Sequence, residues 1–243
     1  MNALSAAIPL SFFSDLSSQF YQCFIEENRY LYLVMGLGNT LLITVFAVLL
    51  GVILGTLVSL VKVAHTNDPT KFRVLNGICT LYLTVIRGTP VVVQLMIMYY
   101  IILSGTAVND IVTAILAFGI NSGAYVAEVI RSGIQSVDRG QVEAGRSLGL
   151  SQRTTMVKIV FPQALKNVLP AIGNEFIALL KETSVAGYIG IQDLTKGGDV
   201  IRSITYLAFT PLLTTAAVYL VIVIGLSALL TRFERRLRRS DYR

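Results

Sequence analysis

The chain has little of what catalytic and metal sites are built from. Its 243 residues include one histidine, His65, and two cysteines, Cys23 and Cys79. The cysteines have no metal-type spacing and Cys79 lies in an apolar stretch, so neither a metal centre nor a disulfide framework is expected. No nucleophile-base spacing is visible, which argues against a membrane enzyme. No glycine-rich loop ends in Gly-Lys-Ser/Thr, so the chain shows no nucleotide site of its own. Charge is scarce too: Asp, Glu, Lys and Arg make up 14% of the residues, against about 25% in soluble domains.

Apolar residues take up the difference. Hydrophobic side chains form 54% of the chain and the mean hydropathy is +0.68. Residues 30–61 and 203–231 carry no charged side chain, and each run exceeds the roughly 20 residues that cross a ~30 Å hydrocarbon core as a helix. The net charge of +6 would point a soluble protein toward nucleic acid. Here the basic residues flank apolar runs, as they do at a cytoplasmic membrane face.

Five transmembrane helices are expected, in an all-α polytopic fold. The first spans about 31–61 and contains Gly51-Val-Ile-Leu-Gly55, a small-xxx-small spacing that permits close helix approach. A loop holding Lys62, His65, Asp68 and Pro69 leads to a second span, about 74–103. It should bend or break at Arg87-Gly-Thr-Pro90, because Pro90 lacks the amide proton that a helix interior needs. The third, about 110–130, and the fourth, about 167–187, are weakly apolar. Glu175, Lys181 and Glu182 in the fourth call for a protein-facing surface, with Lys181 and Glu182 a candidate pair. The last span is expected over 203–231. Of the 20 Lys and Arg, 15 fall in 62–73, 131–166 and 232–243 against five acids, so the positive-inside rule puts the N-terminus outside and the C-terminus in the cytoplasm. The first 30 residues lack a basic n-region, an apolar core and a cleavage site. They are expected to form an uncleaved outer segment, 1–30, and residues 236–243 a basic cytoplasmic tail.

The segment 131–166 reads as two short helices. Asp138 with Gln141 three residues on resembles a capping box, Gly149 should end the first helix, Ser151 can cap the second, and Pro162 should terminate or bend it. Val142, Leu148, Leu150, Met156, Val157 and Ile159 are available for packing. The pattern fits either an interfacial helix pair or a partner-docking surface.

Glu143-Ala-Gly-Arg-Ser-Leu-Gly149 followed by Ile159-Val-Phe-Pro162 resembles the EAA motif of ABC-importer permeases. Arg87-Gly-Thr-Pro90 with Gln94, the stretch Ala124 to Gln135 and Gly173 to Ser184 are similar to the polar amino acid (histidine/glutamine/arginine) subfamily. The resemblance covers about 36–235. It implies a type I importer permease domain over 31–235, with a cytoplasmic coupling segment at 138–162 seated on a separate ATPase. It further implies a second permease subunit, expected to be an identical copy, an extracytoplasmic amino-acid-binding protein or domain, and a bacterial inner membrane as the setting. Glu143, Ala144, Arg146 and Gly149 become the candidate coupling residues. Gly145 stands where the family usually has a second Ala, which adds backbone freedom there.

No cofactor or metal is expected. A polar amino acid presents a carboxylate and an ammonium, so its path needs complementary polar groups kept from lipid. Arg87 can take the carboxylate and Glu128 the ammonium, with Asn121, Ser122, Asn174 and Glu175 as further path candidates; helix packing or gating is an equal alternative for Arg87 and Glu128. A self-sufficient transporter driven by an ion gradient is the alternative function, although no pair of repeated broken helices supports it.

Overall fold

The computed structural model describes residues 10–238, and every regular element among them is helical. Ten α-helices follow in order: α1 Leu10–Phe20, α2 Tyr30–Asn67, α3 Arg73–Gly88, α4 Val91–Ile97, α5 Asp110–Gln135, α6 Arg139–Ser147, α7 Gln152–Thr155, α8 Phe161–Glu182, α9 Leu194–Thr205 and α10 Phe209–Arg238. Residues 1–9 and 239–243 lie outside the described residues, so the expected outer segment and basic tail are seen only in part.

Three of these helices are long and apolar enough to cross a membrane alone: α2, α5 and α10. The α3 and α4 pair, bent by 108° at its break, passes the same test as one broken span. The remaining expected span, the fourth, corresponds to α8, whose 22 residues reach ~33 Å. Its polar side chains, rather than its length, keep it from scoring as a lipid-facing helix.

The centre of the molecule is the contact between α2 and α5. Lipid tails are as apolar as leucine, so helices in a bilayer associate by close packing rather than by hydrophobic expulsion. Glycine supplies that closeness here. A Cβ on Gly51 would lie 2.8 Å from Ser122 Oγ, and one on Gly55 would lie 2.8 Å from the Ala127 backbone nitrogen. From the other side, Leu50 packs over Gly119 and Leu54 over Gly123. α5 is thereby the most enclosed span, 61% buried over its apolar window, whereas α10 is only 6% buried and lies at the periphery. Ile43, Ala47, Leu95, Phe118, Leu179 and Ile189 fill the core between α2, α4, α5 and α8.

Four boundaries differ from the sequence expectation. α2 continues to Asn67, so Lys62 and His65 are helical; His65 Nδ1 lies 2.9 Å from the Lys71 carbonyl. The remaining turn is closed by Thr70, whose hydroxyl and amide donate to Asp68 at 2.6 and 3.1 Å and hold that carboxyl below its ordinary range. Pro162 neither ends nor isolates a short helix. It occupies the first turn of α8, where its missing amide proton breaks no bond, and a π-helical turn at Met156–Val160 joins α7 to α8. The fourth span thus begins at Phe161 and ends at Glu182, with a 3-10 turn over Thr183–Ile189.

The last span does not begin at Ser203. Residues 203–205 finish α9, Tyr206 takes a left-handed conformation at φ 58°, and α10 starts at Phe209. Asp193 caps α9 by accepting from the Lys196 amide at 2.9 Å, and also accepts from the Gly187 amide at 2.9 Å. Gly36 of α2 faces the Asp193 backbone and Gly197 faces the Tyr32 backbone, leaving no space for a Cβ at either contact. α9 is therefore held against the N-terminal half of α2 by glycine contacts, without an apolar run of its own.

Candidate functional site

The break after α3 is built, not merely tolerated. Thr89 and Pro90 are extended, at ψ 146° and 136°, so α3 ends with carbonyls that have no helical partner. Gln94 supplies one: its Nε2 lies 2.7 Å from the Ile86 carbonyl, 3.0 Å from the Thr89 carbonyl and 2.9 Å from Thr89 Oγ1. Its Oε1 accepts from Asn121 Nδ2 at 3.0 Å. A side chain from α4 thus mends the end of α3 and is itself fixed by α5.

About two turns further along α5, Glu128 collects two arginines. It accepts from Arg131 Nε at 3.0 Å and Nη2 at 2.6 Å, and lies 3.5 Å from Arg87 Nη1. The Arg87 guanidinium also sits 5.8 Å over the Tyr125 ring, within cation–π range. In this conformation Arg87 and Glu128 answer each other's charge, and the same group ties the α3–α4 break to the C-terminal end of α5, where Arg131 also reaches Gln135 at 2.9 Å.

Asn121 and Ser122 are buried and committed to helix contacts. Ser122 Oγ donates to Glu175 Oε1 at 2.9 Å, linking α5 to α8 at the depth of Gly51. Asn174, beside Glu175, is exposed and closes on the Pro170 carbonyl at 3.2 Å. Asn174 belongs to a larger pattern. Gln163, Asn167, Asn174 and Lys181 are all exposed, and at ~100° per residue they fall within ~40° of one another. They form a polar stripe along the length of α8. Lys181 makes no salt bridge within 4 Å and no hydrogen bond among the described residues, and its charge acts on the neighbouring Glu182 from beyond contact distance. Reading the sequence for individual charged residues missed this stripe; a helical wheel of 161–182 carries the signal.

The segment between α5 and α8 follows its local sequence closely. Asp138 caps α6 by accepting from the Gly140 amide at 2.6 Å, and Ser151 caps α7 by accepting from the Thr154 amide at 3.1 Å. Gly149, at φ +81°, makes the left-handed turn that lets Leu150 donate to the Gly145 carbonyl at 3.1 Å. Arg146 Nη1 donates to the Leu150 carbonyl at 3.1 Å, so this arginine braces the turn. Glu143, Ala144 and Gly149 are exposed, and Leu148 projects outward with 83% of its surface free. Gly145 is buried, and a Cβ there would lie 2.9 Å from Ile159 Cδ1 and 3.0 Å from Thr155 Cγ2. Its role is thus a tight seat for α6 on the turn after α7, rather than the added backbone freedom expected. Among the described residues no group of His, Cys, Asp and Glu is placed to hold a metal ion.

The model of binding-protein-dependent transport system inner membrane components matches residues 69–239. The chain is 37% identical over 212 residues to the arginine transport system permease protein ArtQ of Bacillus subtilis (strain 168), covering 86% of this chain and 94% of that one. It is 34% identical over 209 residues to the glutamine transport system permease protein GlnP of Escherichia coli (strain K12), covering 85% and 93%. The crystal structure of an amino acid ABC transporter with histidines superposes with a TM-score of 0.80 at 42% identity, over 88% of this chain and 98% of that one. An inward-facing form of the MetNI methionine ABC transporter shares the fold, with a TM-score of 0.71 at 22% identity over 84% and 95%.

Proposed function

Because the chain belongs to the family of binding-protein-dependent transport system inner membrane components, we propose that it is the membrane-spanning permease of an ATP-driven importer for polar amino acids. The observation that carries the mechanism is the polar stripe of α8. A row of amides ending in a lysine is costly against lipid, so this face belongs on a water-filled path, completed by a second copy of the chain. Lys181 offers a cation to the amino acid carboxylate, and Asn174 offers an amide at mid-depth. Glu175 lies next to Asn174 and takes the ammonium when its bond to Ser122 opens. Arg87 and Glu128 act as a gate beside the broken span, satisfied by one another while the path is shut, and Asn121 holds Gln94 in the frame of that gate.

The work comes from outside the chain. Residues 138–162 dock on a separate ATPase through Glu143, Ala144 and Leu148, with Arg146 and Gly149 keeping the turn in shape. Closure of the ATPase pair moves this segment, and a rigid contact of this kind shifts the balance between two packings only if it differs between them. The segment is continuous with α8 through the Met156–Val160 turn, and it follows directly in the chain from the end of α5 that carries Glu128 and Arg131. The N-terminus faces outward, where a binding protein delivers the amino acid, and the C-terminus faces the cytoplasm. The ion-gradient alternative has no support among the relatives, which are transport-system permeases.

Uptake of labelled amino acids into proteoliposomes holding this chain, its copurified ATPase and its external receptor tests the reading. Accumulation that needs hydrolysable ATP inside and is lost in Glu143→Lys is expected. Uptake unchanged without ATP and ATPase, and driven by an ion gradient, contradicts it.

A further inference from the structure

A half-enclosed cavity of about 430 Å³ lies where the inner ends of α2 and α5 meet the coupling segment. Val63, Ile134, Val142 and Met156 form an apolar wall, while Arg131 and Arg139 supply the charge. No carboxylate lines it. Arg131 is already held by Glu128 and Gln135, and Asp138 is turned to the Gly140 amide. Arg139, by contrast, has no hydrogen bond or ion pair among the described residues.

The depth of the cavity says what fits it. α2 and α5 meet at Gly51 and Ser122, midway along α5. From that contact Val63 lies about 18 Å along α2 and Gln135 about 19.5 Å along α5, at ~1.5 Å per residue. The hydrocarbon half-thickness is about 15 Å. With that contact taken as the bilayer midplane, the cavity opens at the level of lipid phosphates, with apolar side chains where the glycerol and first methylenes would lie.

We propose that this cavity binds the headgroup of an anionic phospholipid of the cytoplasmic leaflet, its phosphate at Arg139 and its glycerol against Val63 and Val142. One wall belongs to the membrane helices and the other to α6 and the turn after α7, so a bound lipid braces the coupling segment against the membrane domain. The site rests on geometry; the choice of leaflet and the effect on uptake rest on the orientation and coupling role proposed above.

The test uses the intact complex with its ATPase. Retained phosphatidylglycerol is measured by native mass spectrometry for the unaltered chain, Arg139→Gln and the cavity-filling Val63→Phe, and each is reconstituted in phosphatidylcholine with and without phosphatidylglycerol. Arg139→Gln is expected to retain about fivefold less phosphatidylglycerol, equivalent to the ~1 kcal/mol one basic residue contributes at an anionic surface. It should also lose the stimulation of uptake by phosphatidylglycerol, read as the ratio of its own rates with and without that lipid. Glycerol 3-phosphate, which carries the phosphate without chains, should displace none of the lipid. Equal retention by the unaltered chain and both variants overturns the proposal, and displacement by glycerol 3-phosphate overturns the lipid as ligand in favour of a soluble phosphate. Absence of ATP-driven uptake in every lipid counts against the importer reading alone, because lipid retention is measured separately.

Discussion

Single atoms decide the packing between α2 and α5. At Gly55 an added methyl would meet the Val126 side chain and the Ala127 backbone nitrogen, and backbone cannot move aside cheaply. Gly55→Ala is therefore expected to destabilise the chain by about 1–3 kcal/mol, as overpacking generally does, seen as a lower melting temperature in detergent. Gly77 has nothing within 4 Å of a Cβ. Gly77→Ala should leave melting unchanged or raise it slightly, since alanine is the better helix former by about 1 kcal/mol. The small-xxx-small spacing of Gly51 and Gly55 was legible in the sequence, but its partner was not: that α5 answers with Gly119 and Gly123 depends on register between distant segments. Lys181 belongs at this scale too. Lys181→Met should raise KM for uptake about tenfold or more, the range of a charge-assisted hydrogen bond, with Lys181→Arg retaining most of the affinity. Equal KM for all three would remove Lys181 from the path.

Among the elements, those governed by local chemistry were the readable ones. Asp138, Gly149 and Ser151 carry their caps and turn within a few residues, and Pro90 announces the break in the second span. α9 gave no such notice. Lys196, Asp199 and Arg202 pair with one another on its exposed side, it lacks an apolar run, and its contact with α2 is made by glycines whose partners lie far away in sequence. The break before α10 falls at Tyr206, a left-handed residue that is not glycine and so sends no turn signal. Gln94 shows the same limit, because its motif was visible while its hydrogen-bond partners were not. Gln94→Leu leaves the end of α3 and the Asn121 amide without a partner. A loss of about 1–3 kcal/mol is expected from the stranded polar groups, read as a lower melting temperature together with reduced uptake. Unchanged melting would mean that the break holds without this bond.

At the scale of the whole molecule, the exposed hook at Leu148 and the polar face of α8 belong to one continuous stretch of chain, α6 through α8. Leu148 stands at the hook with little to pack against in its own subunit. Leu148→Asp should cut copurification of the ATPase about tenfold or more, as loss of a central interface anchor does, while the melting temperature of the permease alone stays put. The central claim joins that hook to the α8 stripe: nucleotide at one end changes access at the other. It is tested most directly by placing a single cysteine at Asn174, after replacing Cys23 and Cys79. Its labelling by a membrane-impermeant thiol reagent is then followed in proteoliposomes holding the full complex. Labelling at 174 that changes with trapped ATP and slows with transported amino acid, while a cysteine at Val221, exposed on the apolar α10, stays unlabelled, is the predicted result; labelling at 174 indifferent to both, or no different from that at 221, would contradict the account.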